Sequence, residues 1–346
     1  MSISHRLISR SWRRWNLFLL VAAGLACIAA WFFLQDDVTT NSAALRNVVI
    51  ALPSQVSSGA AFVAKNKKLF ERHGVNVTVQ PFALGMQALK SVLDGHANLA
   101  VVADTPFMFA VMRGEKIAIL SSLFDSRKTM AMVGRKDRGI SRMHDLNGKT
   151  IGTIFGTNAH FYLDTLLVAE GIDRSSVRVV DMKTADGLMA ALKNGEVDAV
   201  TAWHPLLSQL QRDLREQVVV LLDPDIFVYR FVLAATQEYI ASHPVEVRSV
   251  LAALDESMDF VNARPAEAKD IIGQAIGMDP ALLSSAFDPA DFSLSLDQAL
   301  LLGLSDQTRW ALKRGLVPAQ EVPNYLDHLR QEPLESVLPN AIKVIH

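Results

Sequence analysis

One structural unit constrains the fold of this chain more than any other feature. It consists of a helix, a glycine that ends the helix, a strand, and the polar and aromatic residues after the strand, which we call the rim. In residues 190–205 an apolar helical face ends at Gly195, and glycine accepts the left-handed turn that terminates a helix. Residues 197–202 then form a short apolar run typical of a buried strand. The rim Trp203–Pro205 follows, and proline fits the first position of a new helix.

The same order of signals occurs earlier, in residues 88–106. Gly95 there corresponds to Gly195, and Asn98 corresponds to Asp198. Two related units predict two similar α/β lobes, each with a mainly parallel sheet. The alternative, that any α/β chain contains such units, stays open on this evidence alone.

The N-terminal segment has the pattern of a membrane anchor. Residues 1–35 carry four arginines and no acid, and Leu17–Leu34 is an uncharged apolar run close to the length of a bilayer-spanning helix. Arginines before the run and none close after it place the N-terminus in the cytoplasm. We therefore predict a cytoplasmic stub and signal-anchor helix over 1–35 and a linker over 36–46. The folded part is then periplasmic or outside the cell, on a single-pass protein of the cytoplasmic (inner) membrane.

Three other kinds of processing remain open for this segment. Cleavage near Cys27 by a signal peptidase fits the small residues there, and lipidation of Cys27 or twin-arginine export through Arg13-Arg14 fits less well. Because Cys27 is the one cysteine of the chain, the exported part is expected to lack disulfides and thiol chemistry.

Charge and motifs limit the function classes. Outside residues 1–35, thirty basic residues stand against thirty-six acidic ones, which is not the electrostatic signature of a nucleic-acid-binding protein. The sequence contains no nucleophile elbow, no metalloprotease motif, no phosphate-binding loop and no dinucleotide fingerprint. Nine scattered histidines show no metal-site spacing. We expect a protein without cofactor or metal that is not an enzyme.

Candidate ligand-binding residues are selected by their position in the fold. Parallel sheets bind ligands beyond the carboxyl ends of their strands, and helix N-termini at such ends bind anions through free N–H groups. The same residue types are also ordinary helix caps, so capping is the competing interpretation for each one. The candidates are Gln55, Ser57, Ser58, Gly85, Asp104, Thr105, Thr157, Asn158, Trp203 and His204.

Asp104 and Thr105 suggest the chemistry of the ligand. We expect Thr105, before Pro106, to cap the next helix and Asp104 to face the ligand, where a carboxylate attracts an amine and disfavours a simple anion. Trp203 either stacks on a ligand or fills the core. His204 and His160 are further candidates for hydrogen bonds to the ligand.

Several segments resemble one protein family. In order along the chain, from about Val48 to the end, they are similar to the nitrate/sulfonate/taurine-type substrate-binding proteins of ABC importers. The segments are residues 68–77, 93–95, 145–152, 194–200, 203–205, 243–246 and 338–342.

The resemblance implies a two-lobe α/β fold of the periplasmic-binding-protein kind, type 2. Lobe 1 would comprise residues 47–132 plus 234–346, with the C-terminal helices returning to it, and lobe 2 residues 133–233. Two strands, near Ala131–Val133 and Tyr229–Leu233, would cross between the lobes.

The resemblance also implies a role. The expected function is capture of a small sulfonate, nitrate or taurine-like ligand, anionic or zwitterionic, for an ABC permease and ATPase. A membrane-anchored sensor of the same fold is the alternative. An enzyme on this fold, as among relatives in thiamine-pyrimidine synthesis, is a third possibility, against which export argues.

Overall fold

The structure, a computed structural model, describes residues 45–278, 280–288 and 290–345. The predicted stub, the predicted anchor helix Leu17–Leu34 with Cys27, and the predicted linker up to residue 44 lie outside the described residues. Within the described part of the chain, no helix has both the length and the hydropathy required to cross a bilayer.

Strands and helices alternate along most of the chain, as predicted. In chain order the strands are β1 (Arg46–Pro53), β2 (Val75–Phe82), β3 (Leu99–Ala103), β4 (Ile117–Ser126), β5 (Met130–Arg135), β6 (Thr150–Thr153), β7 (Arg178–Asp181), β8 (Ala199–Trp203), β9 (Val218–Leu221), β10 (Tyr229–Thr236), β11 (Ala290–Asp291), β12 (Leu296–Asp297) and β13 (Ile342–Lys343). The α-helices are α1 (Gly59–Asn66), α2 (Leu69–Arg72), α3 (Gly85–Leu93), α4 (Asp104–Met112), α5 (Asn158–Ala169), α6 (Ala185–Asn194), α7 (Leu206–Leu214), α8 (Gln237–Ser242), α9 (Pro244–Ala263), α10 (Pro265–Ile276), α11 (Pro280–Phe287), α12 (Gln298–Lys313) and α13 (Gln331–Glu335).

Two sheets define two lobes. The sheet of lobe 1 has the order β11-β4-β10-β3-β1-β2, and the sheet of lobe 2 has the order β7-β6-β8-β5-β9. A third, two-stranded sheet pairs β12 with β13. Strands β3 and β8 are buried along their whole length, in agreement with sequences that are apolar except for Thr201 in β8. The expected two-lobe α/β architecture is therefore present.

The chain passes between the lobes in two connecting segments. Strand β4 belongs to the first sheet and β5 to the second, so the first passage is at residues 127–129. The return, between β9 and β10, is at residues 222–228. Ala131–Val133 and Tyr229–Leu233, which were expected to cross between the lobes, are instead paired within a single sheet each.

The predicted repeat is confirmed as one local structure formed twice. Gly95 and Gly195 both take the left-handed conformation after a helix, with φ of 77° and 73°. In both copies the chain then enters a buried strand in the middle of its sheet, β3 or β8. The C-terminal helices return to lobe 1, where α9 and α10 pack on α1 and α12 packs on α4.

Candidate functional site

A small cavity lies where the two lobes meet. Its volume is about 30 Å³, so the space between the lobes is narrow here. The lining residues come from both lobes and are Gln55, Leu84, Gly85, Met86, Ala103, Pro106, Met130, Thr157, Asn158, Ala159, Trp203, Tyr229 and Phe231.

Half of the predicted site residues line this cavity. They are Gln55, Gly85, Thr157, Asn158 and Trp203. Trp203 is 5% exposed and forms part of the wall, so its body is packed in the core while its surface faces the cleft. The other five predicted residues are buried close by without forming the wall, and they are Ser57, Ser58, Asp104, Thr105 and His204. That any of the ten binds a ligand stays a prediction.

Two helix N-termini face the cavity, one from each lobe. Gly85 and Met86 begin α3 in lobe 1, and Asn158 and Ala159 begin α5 in lobe 2. The first N–H groups of a helix have no acceptor within the helix, and the helix dipole makes this end positive. Gly85 also allows a close approach, since a Cβ atom there would lie 3.2 Å from Cα of Val102. The wall therefore offers backbone donors from two directions.

Three side-chain donors around the cavity are already used inside the protein. The hydroxyl of Thr157 donates to the carbonyl oxygen of Ile154 at 2.7 Å. Gln55 Nε2 donates to the carbonyl oxygen of Ala83 at 3.3 Å, and the Tyr229 hydroxyl donates to Gln55 Oε1 at 3.5 Å. None of the residues that form the wall is a lysine or an arginine. Backbone N–H groups at the two helix N-termini are thus donors that a ligand can use.

Asp104 connects the lobes and does not line the cavity. Its Oδ1 accepts from Asn158 Nδ2 of lobe 2 at 2.6 Å, and its Oδ2 accepts from Gln307 Nε2 on α12 at 2.8 Å. The backbone N–H of Thr105 donates to Oδ1 at 2.9 Å. The expectation that Asp104 stands free toward the cleft was therefore wrong, because neighbouring donors take up the carboxylate.

The environment of Asp104 weakens its acidity. Burial raises the pKa of Asp104 to about 6, while the hydrogen bonds from Asn158 and Gln307 and the charge of Arg230 act in the opposite direction. Asp104 is therefore ionised at neutral pH and takes up a proton in mildly acidic solution. Burial and the charge of Asp104 also raise the pKa of Tyr229, which keeps that hydroxyl protonated.

Ser57, Ser58 and Thr105 are buried near the cavity and do not line it. The hydroxyl of Ser58 donates to the carbonyl oxygen of Pro53 at 2.8 Å, and Ser57 is buried beside it. Thr105 is fully buried inside α4, which begins at Asp104, so Thr105 is not the expected cap.

The side chain of His204 makes its contact within its own lobe. Its Nδ1 lies 2.6 Å from Ser208 Oγ, and burial lowers the pKa of His204 to about 4. This imidazole is therefore neutral at physiological pH and stays behind the cavity wall.

A second polar contact joins the lobes outside the cavity. Asp164 of α5 is buried and accepts from Trp310 Nε1 at 2.8 Å, and Arg174 of its own lobe donates to it at 2.9 Å. Arg314 forms an ion pair with it, Nε to Oδ2 at 3.0 Å. The indole of Trp310 also meets the ring of His160 edge-on, with centroids 5.0 Å apart. His160 thus serves in a contact between lobes and does not line the cavity.

One face of α12 and of the residue after it takes part in both contacts between the lobes. Gln307, Trp310 and Arg314 are spaced by three and four residues, which places them on one side of a helix. Helix α12 packs on α4 of lobe 1, so its side chains reach lobe 2 both directly and through Asp104. Sequence analysis did not select residues of this helix for the cleft, because its face has the pattern of an ordinary amphipathic stripe.

Eight wall residues were not predicted, and two of them follow a different geometric rule. Tyr229 and Phe231 lie at the start of β10, which runs antiparallel to β3 and pairs Phe231 with Ala103. An antiparallel strand begins at the edge where its parallel neighbours end, so a rule based on strand ends does not include it. The aromatic spacing of Tyr229 and Phe231 just after a lobe connection was the available signal.

A wider recess adjoins the cavity. Met86 and Pro106 line both spaces, and the recess has a volume of about 410 Å³. Leu93, Phe109 and Arg113 belong to its wall, with lobe 2 contributing Gly156. The cleft therefore has an open approach on the side of α3 and α4.

Comparison with known proteins gives related sequences and a shared fold. A Brucella abortus (strain 2308) protein, named only as a binding protein, is 25% identical over 226 residues, which cover 64% of this chain and 69% of that protein. The taurine-binding periplasmic protein of Escherichia coli (strain K12) is 25% identical over 224 residues, covering 62% of this chain and 67% of that protein. The crystal structure of the periplasmic aliphatic sulphonate binding protein SsuA from Escherichia coli superposes with a TM-score of 0.72 at 19% identity, covering 83% of this chain and 92% of that one.

A family model supports the same relationship over most of the folded part. The model described as NMT1/THI5 like matches residues 55–268, more than half of the 346-residue chain. The match spans both lobes, including all ten predicted site residues and both copies of the repeated unit. The chain belongs to the NMT1/THI5-like family.

Proposed function

We propose that this protein captures a small anionic or zwitterionic ligand of the sulfonate, taurine or nitrate kind between its two lobes and presents it to an ABC importer. Its contribution is binding and release, and the chemical bonds of the ligand stay unchanged. The partners in this proposal are a membrane permease and its ATPase.

The observation that carries the proposal is the pair of helix N-termini on opposite sides of one cavity. Gly85 at α3 and Asn158 at α5 lie in different lobes, so an anion between them would be held only when the lobes close. Such a site binds an anion through backbone N–H groups and the helix dipoles, and it does not require a lysine or an arginine. The named ligands of the Escherichia coli relatives, taurine and aliphatic sulphonates, agree with this chemistry.

Calorimetry on the full-length protein tests the proposal. Ethanesulfonate, taurine and nitrate are titrated separately, with chloride as the control anion. At a ligand concentration one hundred times the Kd, binding should stabilise the folded state by about 2.7 kcal/mol, which raises Tm by several degrees. Neither heat nor a Tm shift with any of the three ligands would exclude this ligand class.

We also propose that residues 17–34 hold the protein at the cytoplasmic membrane, with the lobes outside it. The support is the uncharged apolar run and the arginines before it. Intact mass of the protein from its native host tests this: a chain beginning near residue 30, or a lipid on Cys27, would contradict a retained anchor.

A sensor on the same fold is distinguished by its partner. If the protein serves an importer, the ligand-loaded form should stimulate the ATPase activity of the reconstituted permease complex. If ligand binding changes the activity of a membrane signalling protein and leaves that ATPase unaffected, the sensor role replaces transport.

A further inference from the structure

The amide group of Asn158 is held in one orientation. An ionised carboxylate can only accept hydrogen bonds, so Asp104 requires the nitrogen of each amide that contacts it to point toward it. Asn158 Nδ2 lies 2.6 Å from Asp104, and Gln307 supports the same carboxylate at 2.8 Å. The carbonyl oxygen Oδ1 of Asn158 therefore points away from Asp104.

That carbonyl oxygen is buried and has no partner among the residues that the structure describes. Asn158 is 2% exposed and forms part of the cavity wall, whereas Asp104 does not. A buried acceptor without a hydrogen bond costs free energy, and a ligand that supplies a donor removes the cost. Asn158 thus adds an acceptor beside the backbone donors of α3 and α5.

We propose that Asn158 is a specificity-determining residue whose Oδ1 accepts a hydrogen bond from a protonated amine of the ligand, with Asp104 and Gln307 as positioning residues that fix the amide. This inference rests on the proposed function, because the anionic end of the ligand is the part held by the helix N-termini. The ligand class is a short amino-sulfonate or a similar zwitterion, in preference to a simple anion.

Other charged groups near Asp104 are paired or fixed. Arg230 is buried against Asp125 at 2.6 Å and contacts Asp297 at 3.3 Å. Tyr229 remains protonated, as described above. Asp104 is therefore the group here that changes charge in mildly acidic solution. A proton on Asp104 allows it to donate to Asn158 Oδ1, which releases the amide orientation.

A matched ligand pair tests the role of Asn158. Full-length protein is titrated with taurine and with ethanesulfonate, which has the same carbon chain without the amine. At pH 7.5 the wild-type protein should bind taurine about ten- to a hundredfold more tightly, the usual range for a hydrogen bond to a charged group. In Asn158→Leu, which keeps the branched shape of the side chain and removes the acceptor, the two affinities should become similar.

Asp104 could instead attract the amine through its charge alone. Asn158→Leu keeps Asp104, so an undiminished preference for taurine in that variant would overturn the role of Asn158. Asp104→Asn should lower the taurine preference and leave the affinity for ethanesulfonate nearly unchanged. His204→Gln, at the corresponding place in lobe 2, is the matched control and should leave the ratio of the two affinities unchanged.

A measurement on the wild-type protein covers the case in which a variant does not fold. The ratio of the taurine and ethanesulfonate affinities should fall several-fold between pH 7.5 and pH 5, because Asp104 takes up its proton in that interval while the amine stays protonated. A ratio near one at pH 7.5, or a ratio constant over this range, overturns the inference. If ethanesulfonate binds in the same titrations, the proposed function stands even when this inference fails. If neither sulfonate binds, and nitrate does not bind in the earlier titrations, both the inference and the proposed function are excluded.

Discussion

The two copies of the repeated unit use the same device to join helix and sheet. In lobe 1 the backbone N–H of Val49 donates to Asn98 Oδ1 at 2.7 Å, and in lobe 2 the N–H of Thr150 donates to Asp198 Oδ2 at 2.8 Å. The acceptors Asn98 and Asp198 stand one hundred positions apart, as do Gly95 and Gly195 and the first residues of α3 and α6. A short side chain after a glycine stop thus satisfies a backbone donor in the neighbouring strand of each sheet.

The two copies differ at the rim, where the strand ends. Asp104 reaches Asn158 in the other lobe, whereas His204 contacts Ser208 in its own lobe. The shared backbone structure therefore places the end of each strand near the cleft. The packing around that end decides whether the side chain there reaches the other lobe. Burial also shifts the two pKa values in opposite directions, to about 6 for Asp104 and about 4 for His204.

The largest expected difference between the copies concerns ligand affinity. Gly85→Pro removes the first N–H of α3, which lines the cavity, and proline is tolerated at the first helical position. Affinity for the anion should fall about ten- to a hundredfold. Ala185→Pro makes the same change in α6, which does not line the cavity, and should leave affinity unchanged.

Because a Cβ atom at position 85 is itself crowded, Gly85→Ala is the second control. Only the loss beyond that of Gly85→Ala is assigned to the missing N–H. Calorimetry in which Gly85→Pro and Gly85→Ala bind equally would contradict a role for this donor.

The second difference concerns stability. Asn98→Ala and Asp198→Ala each leave a strand N–H without its acceptor, and neither residue lines the cavity. Loss of the hydrogen bond to the neutral Asn98 should lower the free energy of unfolding by about 1 kcal/mol, and loss of the one to the charged Asp198 by about 1.5–3 kcal/mol. Urea unfolding measures both variants, and equal losses would show that the charge of Asp198 contributes nothing.

A smaller difference should appear in the pH dependence of stability. The folded-state pKa of Asp104 lies above the unfolded value of about 3.9, so between about pH 4 and pH 6 the unfolded chain loses this proton first and stability falls as pH rises. The folded-state pKa of His204 lies below the unfolded value of about 6.5, so stability falls as pH drops from about 6.5 toward 4.

The two rim substitutions should therefore change this profile in opposite senses. Relative to wild type, Asp104→Asn should gain stability as pH rises through the window, and His204→Gln should gain stability as pH falls through it. Urea unfolding at half-unit pH intervals gives the two profiles. Parallel profiles in the two variants would contradict the assigned pKa shifts.

The smallest effect is expected for the side-chain hydroxyl groups of Thr157 and Ser58, which lie directly before α5 and α1. Thr157 donates to Ile154 and Ser58 donates to Pro53, so each hydroxyl serves its own loop. Thr157→Ala and Ser58→Ala should each cost about 1 kcal/mol of stability and leave ligand affinity within twofold of wild type. A tenfold loss of affinity in Thr157→Ala alone would show that its hydroxyl turns to the ligand.

Much of the fold could be read from local patterns. The glycine stops, the apolar strand runs and the alternation of helix and strand depend on residues close together in the chain, and they led to two α/β lobes. Strand ends also selected loops that reach the cavity, so Gln55, Gly85, Thr157, Asn158 and Trp203 were found among the wall residues.

What remained undetermined depends on contacts between distant parts of the chain. Whether Asp104 faces a ligand or binds Asn158 is decided by how the lobes meet, and Gln307 reaches Asp104 from 203 positions away. The antiparallel entry of β10, which brings Tyr229 to the wall, is likewise a property of the assembled sheet. The sequence by itself determined the two lobes and the loops at their cleft, because those follow from local propensity and periodicity. Only the tertiary structure decided which side chains line the cavity and which join the lobes, because hydrogen bonds of that range depend on packing.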